Sequence, residues 1–269
     1  MIRTRKRFGQ HFLEPVWVEK VVRAIAPQPD ETFIEIGPGA GALTRPLAER
    51  ARSVTPFEID PDLAADLKAT APPNLTVVEG DFLSTEISDF RLQTSDFVRV
   101  AGNLPYNVAS PIMFKLVELY GAGVPLVDAT LMLQREVADR LVAPPGSKEY
   151  GVLSILMGHA ADVETVLKLP AGAFRPPPKV LSSLVRLRFR APTPPVKDAA
   201  FFGALVQAVF TRRRKTLANA LLALDGRSGP PFPPPAEALA AAGLDGTRRP
   251  ETLSIAEFAR LADIYSAQR

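Results

Sequence analysis

With 269 residues, 46% of them hydrophobic and 23% charged, the chain has the balance of a globular protein of about two domains, which excludes a disordered polymer. The absence of cysteine excludes disulfides, thiol catalysis and thiolate metal sites; the only histidines, His11 and His159, are far apart, so no metal site is expected. No apolar run reaches the ~18–20 residues of a membrane span, and the basic start has no apolar stretch behind it, so a soluble cytoplasmic protein is expected.

Phe33–Ile36 reads as a first strand ending at Gly37, and Leu43–Ala51 as a helix. Ser53–Asp60 reads as a second strand, followed by a helix from Pro61 through Leu67. Leu75–Val78 is a third strand closed by Glu79-Gly80-Asp81, and Phe97–Ala101 a fourth, ending in Gly102-Asn103-Leu104-Pro105. Ala129–Leu133 is a fifth, with a helix over Glu136–Val142. Asp162–Leu169 and Ser183–Arg190 complete the strands. In the last, Val185, Leu187 and Phe189 alternate with Arg186, Arg188 and Arg190, predicting one buried and one wet face. Strands alternating with helices predict a parallel, doubly wound α/β sheet, and the closely spaced final pair predicts an antiparallel edge.

After Pro192-Thr-Pro-Pro195 the pattern is helical, from Ala199 to Leu224, and Ser254-Ile-Ala-Glu257 is a capping box opening a last helix. The expected domains are therefore 1–194 and a small all-helical 195–269. Net charge is only +3, but the basic residues cluster without acids. The clusters are Arg3, Arg5, Lys6 and Arg7; Arg175, Lys179, Arg186, Arg188 and Arg190; and Arg212-Arg213-Arg214-Lys215. Such clustering favours a polyanion such as nucleic acid.

Glu35-Ile-Gly37-Pro-Gly39-Ala-Gly41 joins the first strand to a helix, where glycines let backbone approach a ligand. Glu58, about twenty residues on at the second strand end, suits ribose hydroxyls. At this point a dinucleotide enzyme and a plain strand-to-helix turn both stay open. Asp81 adds a third strand-end carboxylate able to accept from an adenine amine, with Phe82 placed to cover that ring; a helix N-cap is its plainer role. The three together suit an adenosine-bearing cofactor.

Asn103-Leu104-Pro105-Tyr106 offers an amide, a carbonyl stiffened by proline, and an aromatic face. The exocyclic amine of a base is a poor nucleophile because its lone pair is delocalised into the ring. Two acceptors can pyramidalise the nitrogen and free that pair, while a stacked ring holds the base out of its helix. An Asx-turn beside a core tyrosine is the structural alternative. His159, Trp17 and Tyr150 read as packing residues.

With these motifs in one sequence, the chain resembles the ribosomal RNA adenine dimethyltransferases that modify small-subunit RNA. The resemblance runs nearly end to end: Lys6–Leu13, the Glu35–Gly41 loop, Phe57–Asp60, Gly80-Asp81, Asn103–Tyr106, Phe174–Val180 and Arg213–Leu217. It implies a Rossmann-like seven-stranded methyltransferase sheet, S-adenosylmethionine as donor, and N6 of two adjacent adenosines near the 3′ end of small-subunit RNA as acceptor. It implies that His11 and Leu13 border the cofactor, Gly37 and Gly39 underlie its methionine part, Glu58 holds the ribose, and Asp81 with Phe82 holds the adenine. Asn103 would contact both the cofactor and the target amine, which Leu104 and Pro105 would also serve, and Tyr106 and Phe174 would sandwich the flipped base. Residues 1–194 would be catalytic, and 195–269 would bind RNA through Arg212, Arg213, Arg214 and Lys215, in a monomer working on the pre-30S particle. His11 stands where some members have Asn, and Leu181 where Asp is common. The related class acting on large-subunit RNA tends to carry Ile at the position of Leu104. A non-catalytic RNA-binding assembly factor is the remaining alternative, although it would need none of the cofactor residues.

Overall fold

The computed structural model describes residues 12–86, 97–224 and 232–267. The chain forms two compact units, one of residues 1–138 with 162–189, the other of 139–161 with 190–269.

The first unit is built on a seven-stranded sheet. Its strands are β2 (Thr32–Ile36), β3 (Ser53–Glu58), β4 (Val78–Glu79), β5 (Val98–Asn103), β6 (Leu126–Gln134), β7 (Ala161–Leu169) and β9 (Ser182–Phe189), in the order β4-β3-β2-β5-β6-β9-β7. A separate ribbon pairs β1 (Phe12–Leu13) antiparallel with β8 (Phe174–Arg175). The pairs β2/β3, β2/β5, β3/β4 and β5/β6 are parallel, whereas β6/β9 is antiparallel. The chain runs outward from β2 through β3 to β4, then returns to β5 on the other side. The switch point thus lies between β2 and β5, where open α/β sheets place their ligand crevice beyond the carboxyl ends of the strands. Every residue of β2 is buried, as expected for a strand covered on both faces. Gly102 lets the backbones close up there: a Cβ on it would lie 2.6 Å from the Ile36 carbonyl oxygen.

The helices of this unit are α1 (Pro15–Ile25), α2 (Thr44–Ala48), α3 (Pro61–Ala69), α4 (Ala109–Gly121) and α5 (Arg135–Leu141), the last running across the boundary at 138. α3 starts at Asp60, whose side chain accepts from the Asp62 amide at 3.0 Å, with Pro61 in the first turn where a missing N–H costs nothing. α1 buries Val21, Val22 and Ile25 and ends at Ala26, which is left-handed with φ 53°. Two arginines tie that end to the sheet. Arg99 donates to the carbonyls of Ile25 and Ala26 and makes a two-pronged pair with Asp128 at 2.9 and 2.8 Å. Arg186 donates to the Ala24 carbonyl and to Thr130. The wet face predicted for β9 is therefore covered at Arg186, because α1 lies over it. The final pair does form one edge of the sheet, with β9 antiparallel to β6 and β7 outermost.

The second unit is helical: α6 (Val152–Ala160), α7 (Ala199–Thr211), α8 (Leu217–Leu221), α9 (Pro235–Ala242) and α10 (Ile255–Ser266). The long helix expected over Ala199–Leu224 breaks at Arg212, and the Ser254/Glu257 capping box forms as expected. The single boundary expected between 194 and 195 is corrected. Asp139–Ala161 belongs with the C-terminal part, because Tyr150 and Ile155 are buried in one apolar cluster with Phe202, Val206, Leu253 and Phe258. Tyr150 donates to the Leu253 carbonyl at 2.9 Å, and His159 packs on Phe202 while its Nε2–H donates to the Pro194 carbonyl at 2.6 Å. Among the described residues no helix is long and apolar enough to cross a membrane.

Candidate active site

A cavity of about 360 Å³ opens at the switch point, walled by the ends of β2, β3 and β5 and by the segment after β4. That volume is in the range of small-molecule sites. The loop after β2 forms its floor. Gly37, Gly39 and Gly41 have φ of 70°, 58° and 82°, a conformation side chains resist, and a Cβ on Gly41 would meet Leu67 at 2.8 Å. The loop is held by Glu58 at the end of β3: its Oε2 accepts from the Gly39 amide and its Oε1 from the Asp60 amide, both at 2.9 Å. Glu58 is 4% exposed, and burial pushes its carboxyl above the ordinary value. A carboxylate has about four lone-pair sites, so both oxygens can still accept from a ligand hydroxyl.

Asp81 lines the same cavity while capping a 3₁₀ turn, its Oδ1 accepting from the Leu83 amide at 3.0 Å. Cap and cavity wall are thus one residue. Phe82 is buried and meets the Phe57 ring edge-on at 5.4 Å, giving an apolar wall. Asn103, Leu104, Pro105 and Tyr106, running off the end of β5, close the opposite side, and Leu13 from β1 closes another. The expected residues Leu13, Gly37, Gly39, Glu58, Asp81, Phe82, Asn103, Leu104, Pro105 and Tyr106 therefore all line one cavity. His11 lies outside the described residues.

Phe174 is placed differently. It is 3% exposed, is the register partner of Leu13, and lies in an apolar cluster with Leu13, Met132 and Leu184 rather than on the cavity wall. A single residue in an apolar setting gives no sequence sign of which way it faces. Leu181 is 45% exposed, so a leucine there in place of the common Asp changes no buried contact.

Ile59 and Glu35 are among the wall residues that the sequence reading does not single out. Ile59, 50% exposed beside Glu58, offers an apolar face to the cavity. Glu35, in β2, is fully buried with Oε2 unpartnered, and burial raises its carboxyl to about 8. Its position before the first glycine is the signal that was available. A donor on a bound molecule, such as an ammonium, would satisfy it.

The Arg212–Lys215 run lies in the second unit, after α7. Arg212, Arg214 and Lys215 are exposed. Arg213 instead bridges to the carbonyls of Ser147 and Lys148, the latter at 2.6 Å. The Leu217 amide donates to the Arg248 carbonyl at 2.7 Å, which brings exposed Arg249 beside the same run.

Residues 1–265 match the family model described as ribosomal RNA adenine dimethylase. The chain is 43% identical over 265 residues to ribosomal RNA small subunit methyltransferase A of Acinetobacter baylyi, covering 97% of this chain and 92% of that protein. It is 42% identical over 267 residues to the protein of that name from Salmonella typhimurium, covering 97% and 93%. Among solved structures it resembles a dimethyladenosine transferase from Plasmodium falciparum, with TM-score 0.73, 26% identity, and 93% and 96% of the two chains covered. It also resembles the 23S rRNA methyltransferase ErmE, with TM-score 0.65, 29% identity, and 95% and 99% covered. The switch-point cavity, its glycine floor and the Asn-Leu-Pro-Tyr rim thus sit in a chain that belongs to the ribosomal RNA adenine dimethylase family.

Proposed function

We propose that this chain transfers methyl groups from S-adenosylmethionine to N6 of two adjacent adenosines in a hairpin near the 3′ end of small-subunit ribosomal RNA. The setting is cytoplasmic ribosome maturation, with a monomer acting on the pre-30S particle. The observation that carries the reading is the convergence of Glu58, Asp81 and Asn103–Tyr106 on one cavity above the glycine floor. Identities of 42–43% to small-subunit enzymes, against 29% to ErmE, favour the small-subunit substrate over the large, as Leu104 does.

The cavity suits this donor. The orphaned Glu35 oxygen calls for a hydrogen-bond donor, which the methionine ammonium provides. Glu58 would accept from ribose hydroxyls, Asp81 from the adenine amine, and Phe82 and Ile59 would cover the adenine, with His11 and Leu13 bordering it. The donor supplies an electrophilic methyl group on a sulfonium. The residues of the chain do the rest. The Asn103 amide oxygen and the Leu104 carbonyl, stiffened by Pro105, accept from the target amine and localise its lone pair. Tyr106 stacks on the flipped base. Phe174 is assigned its other face, for which its ring must turn out of the apolar cluster. Arg212, Arg214 and Lys215 would grip phosphates, with Arg213 holding the loop that supports them.

Single-turnover methylation of a small-subunit RNA fragment, read by primer extension, tests this. Stops at two neighbouring adenines are expected. Tyr106→Ala should slow the reaction by roughly tenfold to more than a hundredfold, and Asn103→Ala by more. Stops only on large-subunit RNA would overturn the assignment of substrate.

A further inference from the structure

We infer that Ser182 is a positioning residue for the methylation step, its hydroxyl fixing the Tyr106 ring at the angle needed to stack on the target base; the inference rests on the base-clamp reading above. The Tyr106 and Ser182 hydroxyl oxygens are 3.2 Å apart. Tyr106 belongs to the loop running off β5, and its half-buried ring lines the cavity. Ser182 is the first residue of β9, paired with Gln134 at the end of β6, and is 2% exposed. A loop residue is thereby anchored to the first residue of a sheet strand.

Local sequence supports a purpose for this hydroxyl. Val180 and Leu181, just before it, are 41% and 45% exposed, so the chain dives inward at a serine rather than at an apolar residue. A buried hydroxyl is kept when it has a partner. The geometry of a phenol explains what the partner gains. The rigid ring is tethered at Cβ by the backbone, and a second tether at its far oxygen stops the ring from sweeping across the cavity. Conjugation holds the phenolic O–H in the ring plane, so the same bond also favours one tilt of the ring. Stacking needs parallel planes, and a misplacement of about 1 Å at a reacting centre can cost up to a hundredfold. The hydroxyl of Tyr106 thus serves catalysis without touching the base.

Full-length Ser182→Ala, Ser182→Thr, Tyr106→Phe and the Ser182→Ala/Tyr106→Phe double variant form the test, with a small-subunit RNA fragment as substrate. Ser182→Ala and Tyr106→Phe should each lower the single-turnover rate about three- to tenfold, the worth of one hydrogen bond and a modest misalignment. S-adenosylmethionine and RNA affinities should not change. The double variant should be no slower than the slower single, and Ser182→Thr, which keeps the hydroxyl, should recover the rate. Multiplicative losses in the double variant, or a rate that falls only in step with cofactor affinity, would overturn the inference. Tyr106→Phe breaks the same bond from the other side if Ser182→Ala does not fold. Tyr106→Ala separates the two levels. If it retains the full rate, the base clamp itself is wrong. If it is inactive while Ser182→Ala and Tyr106→Phe run at the parent rate, only the positioning role fails.

Discussion

Replacing Glu35 by Gln tests a buried carboxyl that lacks a partner on one oxygen. The group is fully buried, and burial raises it from 4.5 to about 8. A raised value means the folded chain keeps a proton that the unfolded chain releases. The associated stability is fully present below about 4.5 and is lost as pH rises through about 8. At pH 7 the unfolded group has passed its own value by about 2.5 pH units, which at ~1.4 kcal/mol each withholds about 3 kcal/mol from the parent. Gln does not titrate and escapes this loss. Urea unfolding of both proteins between pH 5 and 8 checks it. The stability of Glu35→Gln relative to the parent should climb by about 1.4 kcal/mol per pH unit across most of that range. A gap that stays constant with pH would refute the reasoning, whatever its absolute size. A ligand ammonium that pairs with the ionised oxygen should expel the proton on binding. Calorimetry of S-adenosylmethionine binding near pH 7 should show heats that vary with buffer ionisation enthalpy, and this dependence should disappear in Glu35→Gln.

Glu58→Ala should weaken S-adenosylmethionine by about 1–3 kcal/mol, because it strips an acceptor from the ribose and the tether from Gly39; unchanged affinity by titration would remove it from the site. Changing Arg212, Arg214 and Lys215 to Ala should lower the log–log salt slope of RNA binding by about 0.7–0.9 for each phosphate that is no longer neutralised. Arg213→Ala should leave that slope almost unmoved and lower the melting temperature, since its guanidinium is spent on the Ser147 and Lys148 carbonyls. Asp128→Ala should destabilise the fold by about 1–3 kcal/mol in urea titration, because Arg99 loses its two-pronged partner and keeps only the Glu31 carboxylate at 2.8 Å.

The strand ends were the most legible part of the chain. Short β-rich runs leading to Glu58, Asp81 and Asn103 mark both the element and the edge of the sheet on which its cavity-lining candidate stands. Other features were hidden for physical reasons. α6 (Val152–Ala160) is apolar nearly all round, so no amphipathic period betrays it. α4 was masked by Ser110-Pro111 in its first turn, a pair that reads as a loop although proline is tolerated there. The third strand, expected over Leu75–Val78, shrinks to Val78–Glu79 with one isolated bridge from Leu75 to Val54, as befits a strand on the sheet's edge. The insertion of β9 between β6 and β7 depends on long-range pairing, about which neighbouring residues say nothing. Phe174 and Ser182 flank the same Pro-rich motif, yet only the fold reveals that the aromatic is interior and the serine holds Tyr106.

The discontinuity of the helical unit sets an order of events during synthesis. Residues 139–161 leave the ribosome well before α7, and far ahead of Phe258. Translation at ~5–20 residues per second would leave α6 waiting several seconds for the residues that cover it. During that interval Tyr150 and Ile155, later buried at 2% and 0% exposure, face water or a chaperone. A fragment ending at Pro194 would make the wait permanent. Stop codons and proteolytic nicks in the C-terminal third should therefore yield insoluble chains rather than a working half-enzyme, even though they leave every residue of the cavity in place.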